Sequence, residues 1–335
     1  MNNFKMLWRL LLVALLMVAS PTGQAHAIIN GISGTTFNFT AKPGYITAGD
    51  GARLLFWGFA DNSAVGQGVV QYPGPTLILT EGQTVTITLV NELAEPVSMV
   101  FPGMTMATAT APVFKGGSRA NLASLAPEAV PGGTQTYTFT ATKAGTYYYQ
   151  SGSNQPIQLR MGLFGAIVVR PATYKTTPIV NAVPFGLSAI NPATGQRHPQ
   201  VRVNYNDSTG IGGVAYNPST ATDLTTAYDR EYLIVGSEMD PSFHKWMEFG
   251  KPNGETFDLS KWRSNYWFFN GRNAPDTMDM PNSGNLPTQP YNAMLLAHPG
   301  ERVLVRLVNM GQEFHPFHHH GNHSRVIAID GNLLS

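Results

Sequence analysis

An ungapped internal repeat is the feature that most restricts how this chain can fold. The first copy runs from Gly82 to Gly103 and the second from Gly300 to Gly321, so both span the same 21-residue interval. Each copy contains a strand pattern, an asparagine and a second segment that ends in glycine. The aligned pairs are Val85 with Val303, Leu89 with Leu307, Val90 with Val308 and Asn91 with Asn309. The repeat predicts a duplicated β-domain; a chance likeness between two strands is the alternative.

The composition favours an all-β protein. Charged residues make up 12% of the 335 residues, about half the usual share, and the formal net charge is +1. There is no basic run, so nothing favours nucleic acid as a partner. The 34 glycines and 24 prolines provide many turns between short segments in which Thr, Val and Tyr alternate. The sequence contains no cysteine, which excludes a disulfide and a thiolate metal ligand within these residues.

Residues 1–27 have the pattern of an export signal. Lys5 and Arg9 make the start positive, residues 10–18 are apolar, and residues 25–27 form a small-x-small cleavage site. The apolar run is short for a bilayer span; a retained membrane anchor is the alternative. No other stretch is long and apolar enough, so we expect no stable membrane span after signal removal. The mature protein is then expected in the periplasm, the extracellular space or the cell envelope.

The strand and turn patterns divide the remaining chain into three parts. Residues 28–171 contain short strands at regular spacing, which is typical of a β-sandwich or β-barrel. Residues 172–227 are rich in Pro, Asn, Thr and Gly and predict a linker with an irregular insertion. Residues 228–335 hold a second set of strand patterns and then a cluster of histidines.

Five of the nine histidines lie within residues 315–323. A neutral imidazole is a common ligand for copper or zinc. In an extended segment alternate side chains share a face, so His318 and His320 are expected on one side and His319 on the other. Pro316 separates His315 from this pair, which predicts a His-x-His pair for one metal and His315 for another. A solvated histidine run is the alternative interpretation.

The histidine segment resembles a motif of the multicopper oxidase family, which is built from cupredoxin domains. His315-Pro316-Phe317-His318-His319-His320-Gly321 is similar to the family's His-Pro-x-His-Leu-His-Gly motif, with His319 in place of leucine. Near the start, Tyr72-Pro73-Gly74-Pro75, Glu81-Gly82 and Asn91 resemble the family's first-domain signature. The resemblance covers nearly all of residues 45–335.

This resemblance implies a fold, a cofactor and ligands. The fold would be two tandem cupredoxin-like Greek-key β-sandwiches or barrels, and the cofactor would be copper (Cu). His315 would bind the type 1 copper, and His318 and His320 would serve the trinuclear cluster. His319 and His323 have no counterpart in the family and are expected on the surface.

The chain departs from the family pattern in two ways. Where the family's first domain has two His-x-His pairs, this sequence has Val100-Phe101-Pro102-Gly103 and Tyr149-Gln150-Ser151-Gly152. The downstream His-Cys-His segment of the family is also missing, since the sequence stops at Ser335 without any cysteine. We therefore expect the second domain to be incomplete at its C-terminus and the sequence to be the front part of a longer polypeptide.

The function implied by the resemblance is that of an oxidoreductase. It would couple one-electron oxidation of a small-molecule or metal-ion reductant to the reduction of dioxygen, with the missing ligands supplied by a further segment or a partner subunit. The main alternative is a non-catalytic cupredoxin-fold protein of the cell envelope that binds copper or another protein. A two-domain copper nitrite reductase relative is a third interpretation, disfavoured because that family keeps a cysteine ligand in its first domain.

Three further features carry weaker expectations. Two Met-x-Met pairs hint at Cu(I) binding, although packing is their more ordinary role; they are Met104 with Met106 and Met278 with Met280. Glu231 and Glu238 are expected on the solvated side of a strand. Residues 240–244 are expected to form a turn that contains a partly buried His244.

Overall fold

The computed structural model describes residues 29–64, 66–107, 111–117, 121–172, 213–217, 226–228, 230–250, 256–297 and 302–334. The expected signal at residues 1–27 and most of the expected linker at 172–227 lie outside the described residues. Within the described ranges, no helix has the length and apolar character that crossing a bilayer requires.

Strands dominate the described part of the chain. In the first half they are β1 (Ile32–Ser33), β2 (Thr36–Thr47), β3 (Arg53–Asp61), β4 (Val70–Gln71), β5 (Gly74–Thr80), β6 (Gln83–Asn91), β7 (Thr105–Met106), β8 (Val113–Phe114), β9 (Leu122–Ser124), β10 (Thr134–Ala141), β11 (Gly145–Gln150) and β12 (Phe164–Arg170). Further along they are β13 (Gly213–Val214), β14 (Ala227–Tyr228), β15 (Arg230–Met239), β16 (Tyr266–Phe269), β17 (Val303–Asn309), β18 (Ala328–Ile329) and β19 (Asn332–Leu333). The α-helices are α1 (Gln155–Met161) and α2 (Pro241–Phe249).

The first half forms a β-sandwich. One sheet has the strand order β4-β3-β2-β6-β10-β7 and the other β1-β5-β12-β11. Alternation explains the two faces of β6: Val85, Ile87 and Leu89 are fully buried. The intervening threonines face away from the core and pair with threonines of β10, Thr84 with Thr140 and Thr86 with Thr138, each at 3.2 Å. The expected all-β sandwich is therefore present.

The core of this sandwich is rich in aromatic rings. Phe39, Phe59 and Tyr149 lie with ring centroids 5.5 to 6.3 Å apart, and Phe101 stacks on Phe139 at 4.6 Å. Aromatic pairs at these separations add to the stability gained from burial alone. The chain thus builds a large core without any disulfide, as its composition requires.

The second half contributes a three-stranded sheet with the order β16-β15-β17. One face of this sheet packs against the outer side of the first sandwich. Leu233, Val235 and Phe268 belong to the same buried cluster as Phe164 and Val168 of β12. The fold therefore joins the two halves through an apolar layer, and the second sheet is held against the first sandwich.

The internal repeat is visible in the strand pairing. In the first copy β6 lies parallel to β2, with Thr86 opposite Thr36 and Asn91 opposite Ala41. In the second copy β17 lies parallel to β15, with Leu304 opposite Glu231 and Asn309 opposite Gly236. Thr86 and Leu304 are aligned in the repeat, as are the two asparagines, so in both copies the repeated strand pairs with a parallel neighbour.

A buried ion cluster joins the two halves. Glu231 of β15 contacts Arg170 at 2.8 Å and Arg306 at 2.7 Å, and Arg306 also donates to the Thr146 hydroxyl at 2.9 Å. Burial raises the pKa of Glu231, but Arg306 and Arg170 outweigh that effect and lower it below the ordinary value. The expectation that Glu231 faces solvent is wrong, because the first sandwich covers its side of the strand.

Neither helix was predicted from the sequence. The segment expected as a turn at residues 240–244 begins α2, and the Asp240 carboxylate accepts from the Ser242 and Phe243 amides as an N-cap. Pro241 follows at the first helical position, where its missing amide hydrogen costs nothing. His244 is fully buried in this helix, and not partly buried in a turn as expected.

Candidate metal centre

The histidine segment begins at a turn held by Asn309. The Asn309 side chain donates to the Glu313 carbonyl at 2.7 Å and accepts from the Gly311 amide at 3.1 Å. In the first copy the side chain of Asn91 makes the corresponding bonds, to the Glu95 carbonyl at 2.8 Å and from the Leu93 amide at 2.9 Å. The same asparagine turn therefore directs the chain out of the strand in both copies.

Glu238 of β15 anchors the start of the histidine segment. One of its carboxylate oxygens accepts from the backbone amides of Gln312 and Glu313, the latter at 2.9 Å. The other oxygen lies 3.2 Å from Nε2 of His315. The Glu238 side chain has no exposed surface, so the expectation that it faces solvent is wrong. The loop from residues 312–315 covers it.

Two exposed side-chain contacts hold the same loop from outside. Trp267 donates from Nε1 to the Glu313 carboxylate at 2.8 Å, and Arg160 of α1 donates to the Gln312 side chain at 3.2 Å. Hydrogen bonds from Ser264 and Trp267 lower the pKa of Glu313. The loop that carries His315 is thus held by a buried carboxylate on one side and by polar contacts on the other.

His318 and His320 lie together on one side of an extended segment. Their ring centroids are 4.6 Å apart and their planes are nearly perpendicular, at 89°. His319 lies beside Phe317 instead, with ring centroids 6.2 Å apart. The expected alternation of faces is confirmed, although residues 315–320 form no sheet strand. His318, His319, His320 and His323 are all exposed.

In the first copy, three positions that match the family's ligands lie close together: Val100, Gln150 and Gly152. Val100 and Gln150 pair through their backbones, with N–O distances of 2.8 and 3.1 Å. A side chain at Gly152 would begin 2.8 Å from both the Ser98 hydroxyl and a methyl group of Val100. An imidazole at position 152 would therefore displace its neighbours, whereas Val100, Pro102 and Gln150 are half-buried.

A buried group of serines lies beside these positions. The hydroxyls of Ser98, Ser124 and Ser153 are 2.7 to 3.2 Å apart, and Ser153 also donates to the Glu128 carboxylate at 2.6 Å. This group was not predicted from the sequence, because its serines are far apart along the chain and carry no motif. Its hydroxyls bond one another, which satisfies the polar atoms that this part of the core buries.

His244 has a structural role and does not belong to the candidate metal centre. Its Nδ1 lies 2.6 Å from the Leu55 carbonyl, and its side chain is buried between α2 and β3. Burial lowers the pKa of His244 to about 4. The imidazole is therefore neutral at ordinary pH, with Nδ1 as the donor because a carbonyl only accepts.

The two methionine pairs have different surroundings. Met104 and Met106 pack against the core of the first sandwich, which is the ordinary structural role. Met278 and Met280 are 68% and 58% exposed. Exposure at that level is unusual for so apolar a side chain, so packing does not account for this pair.

The donors near the histidine segment fit copper chemically. Imidazole nitrogen suits copper, and His318 and His320 present two imidazoles side by side. Within the described ranges, no group of three or more His, Asp or Glu side chains converges as a metal site. The structure therefore brings together the expected pair, and it brings His315 to Glu238.

Comparison with known proteins points to one family. Two family models described as multicopper oxidase match residues 69–173 and residues 259–333. Together they cover just over half of the chain. The second match includes the whole histidine segment.

Curated relatives give the same result over shorter stretches. The L-ascorbate oxidase of Cucurbita maxima is 31% identical over 130 residues, which are 38% of this chain and 21% of that protein. The multicopper oxidase MCE of Talaromyces pinophilus is 32% identical over 136 residues, which are 40% of this chain and 21% of that protein. The matched stretch thus spans about a fifth of the length of these relatives.

A solved structure supports the fold. The blue copper oxidase from Nitrosomonas europaea superimposes with a TM-score of 0.54 at 20% identity, covering 89% of this chain and 68% of that chain. At this identity the likeness concerns the fold, and it agrees with tandem cupredoxin β-sandwiches. From the family models and this shared fold, we conclude that the chain belongs to the multicopper oxidase family, whose members bind copper.

Proposed function

We propose that this chain is a copper-binding protein of the multicopper oxidase type in which His318 and His320 hold one copper site and His315 contributes to another. The observation that carries the proposal is the 4.6 Å separation of the His318 and His320 rings. Two imidazoles on one side of an extended segment offer nitrogen donors to a single ion. His319, which lies on the other side, takes no part.

Hydrogen bonds within the chain position the segment that carries His315, His318 and His320. The Asn309 turn directs the histidine segment away from β17, and Glu238 holds the start of that segment through two backbone amides. The exposure of His318 and His320 leaves both rings accessible to an ion from solvent. Bound copper would supply one-electron oxidation of a small-molecule or metal-ion reductant coupled to the reduction of dioxygen.

We propose that this oxidoreductase activity needs ligands beyond these 335 residues. The sequence contains no cysteine, so it offers no thiolate to a type 1 copper. The first-copy positions that match family ligands hold Val100, Pro102, Gln150 and Gly152, none of which carries an imidazole, and packing fills the space at Gly152. The remaining donors would come from a further segment or from a partner subunit.

A second candidate function is supported by the same packing. If the first copy has been rebuilt as a ligand-free core, the chain acts as a non-catalytic cupredoxin-fold module of the cell envelope. Such a module would bind copper or another protein without oxidising a substrate. This alternative would be favoured if the protein bound copper but showed no oxidase activity after the missing segment or partner subunit had been supplied.

Metal binding by the purified chain tests the main proposal. We expect about one copper per chain without an intense blue band, because that band requires a copper–thiolate bond. Replacing His318 and His320 with alanine should abolish this binding. The matched control replaces His319 and His323, equally exposed histidines of the same segment, and should leave it unchanged.

Two outcomes of that experiment would overturn the proposal. The first is a wild-type chain that retains no copper after gel filtration. The second is an equal loss of copper in the control variant, since this would mean that any histidine in the run binds the ion. Electron paramagnetic resonance of the bound Cu(II) would report nitrogen ligands in the wild type.

We also propose that residues 1–27 direct export and are removed, and that residues 28–171 and 228–335 form separate domains joined by residues 172–227. The positive start, apolar run and small-x-small site support the first statement. N-terminal sequencing of the protein from an envelope fraction would test it. Limited proteolysis would test the domain division, because the first cut is expected within residues 172–227.

A further inference from the structure

We propose that Glu238 is a positioning residue for His315: it fixes the imidazole in the Nε2–H tautomer and leaves Nδ1 as the nitrogen that binds metal. This inference rests on the proposed function, because it deepens the role assigned to His315. It concerns a residue outside the histidine motif, 77 positions earlier in the chain.

The surroundings of Glu238 indicate more than a structural contact. Its carboxylate is fully buried, and a buried charge is costly unless hydrogen bonds compensate it. The Gln312 and Glu313 amides supply two such bonds to one oxygen, and His315 supplies the contact to the other. All three partners belong to one loop, so a single carboxylate sets the path of the backbone and the position of the ring.

The direction of the imidazole contact fixes the tautomer. An ionised carboxylate only accepts hydrogen bonds, so the hydrogen on a neutral His315 must be on Nε2, which lies 3.2 Å from the Glu238 oxygen. The lone pair is then on Nδ1. Carboxylate partners orient metal-binding histidines in this way and raise the basicity of the ligating nitrogen.

The orientation of the His315 ring places Nδ1 on the side away from β15. The Cδ2 atom of His315 is 3.6 Å from the point where a side chain at Gly236 would begin. The Nε2–Cδ2 edge therefore faces β15. In an imidazole ring Nδ1 lies opposite that edge, so Nδ1 faces away from the strand.

Gly311 supports the same arrangement. A side chain on this residue would overlap the Glu238 carboxylate. The glycine therefore makes room for the buried acid directly before the two amides that bind it. Among the described residues, the Glu238 carboxylate therefore bonds two backbone amides and one side chain, that of His315.

The test is nitrogen-15 NMR of the imidazoles in the full-length chain at about pH 8, where histidines with ordinary pKa values are neutral. We expect His315 as the Nε2–H tautomer in the wild type. His244 is an internal reference for the opposite tautomer, because its Nδ1 donates to the Leu55 carbonyl.

The decisive variant is Glu238→Gln. The glutamine oxygen can still accept from the two amides, but its NH2 group then donates to Nε2 and forces His315 into the Nδ1–H tautomer. We expect that switch of tautomer and an unchanged His244. We also expect roughly 10- to 100-fold weaker Cu(II) binding at His315, measured from the broadening of its ring signals. Glu313→Gln is the matched control: it removes the same charge two residues from His315 and should change neither the tautomer nor copper binding.

The outcomes separate this inference from the proposed function. A copper-binding wild-type chain with His315 in the Nδ1–H tautomer would overturn the inference alone, and so would undiminished Cu(II) broadening of the His315 ring signals in Glu238→Gln. A wild-type chain that binds no copper would overturn the proposed function and the metal-binding part of the inference with it. If Glu238→Gln does not fold, the wild-type tautomer and its broadening by Cu(II) still decide the question.

Discussion

Leu89 of β6 and Leu307 of β17 occupy equivalent positions in the internal repeat, yet Leu89 is fully buried and Leu307 is 51% exposed. The face that carries Leu89 is covered by the four-stranded sheet of the first sandwich. On the corresponding face of the three-stranded sheet, Val303, Trp267 and Phe269 are exposed as well.

This difference predicts unequal effects of the same substitution. Leu89→Ala should lower the free energy of unfolding by about 2–5 kcal/mol, because it removes buried methyl groups and leaves a cavity. Leu307→Ala should lower it by less than about 1 kcal/mol, as for an exposed side chain. Urea unfolding followed by circular dichroism measures both, and equal losses would mean that the Leu307 face is covered in solution.

The buried ion cluster around Glu231 provides a second prediction. Glu231→Gln removes the carboxylate shared by two guanidinium groups in a buried place, so it should cost about 3–5 kcal/mol of stability. Asp258→Asn is the control, since it removes one charge of the exposed Asp258–Lys261 pair and keeps an oxygen that accepts from the Ser260 amide. We expect that control to cost less than about 1 kcal/mol.

The same ion cluster should make the stability of the protein depend on pH, and the direction follows from the pKa of Glu231. The pKa of Glu231 is lowered in the folded state, so its contribution is present above the ordinary carboxyl pKa and is lost as pH falls through the folded value. The wild type should therefore lose stability in strong acid to a greater extent than Glu231→Gln. Parallel stability curves for the two proteins would argue against the ion cluster.

His244 predicts a separate loss of stability in mild acid. Its pKa falls from 6.5 to about 4 on burial, so between these values the unfolded chain binds the proton and the folded chain does not. Stability should then decrease as pH falls through this window, by roughly 3 kcal/mol in total. Thermal melts between about pH 7 and pH 4 measure it.

A variant without this titration checks the assignment. His244→Gln keeps an amide that can donate to the Leu55 carbonyl, and it should flatten the stability curve across the window. His319→Gln is the exposed counterpart and should leave the slope unchanged. An equal slope in the wild type and in His244→Gln would remove His244 as the cause.

Several elements were predictable because they depend on local pattern. The alternation from Thr84 to Val90 predicted β6, and the spacing of the two copies predicted a second equivalent strand and the same asparagine turn. The period of two in an extended chain also predicted that His318 and His320 share a side. The capping signal at Asp240 and Pro241 was equally local and indicates a helix, although the segment was interpreted as a turn.

The sequence by itself determined the all-β class, the duplicated strand and turn, and the pairing of His318 with His320, because each follows from the periodicity of a short segment. Only the tertiary structure decided which faces are covered. Glu231 and Glu238 look like solvated strand residues, but one is covered by β12 and its neighbours and the other by the loop before His315. Burial depends on what packs against a strand, and those partners lie tens of residues away along the chain.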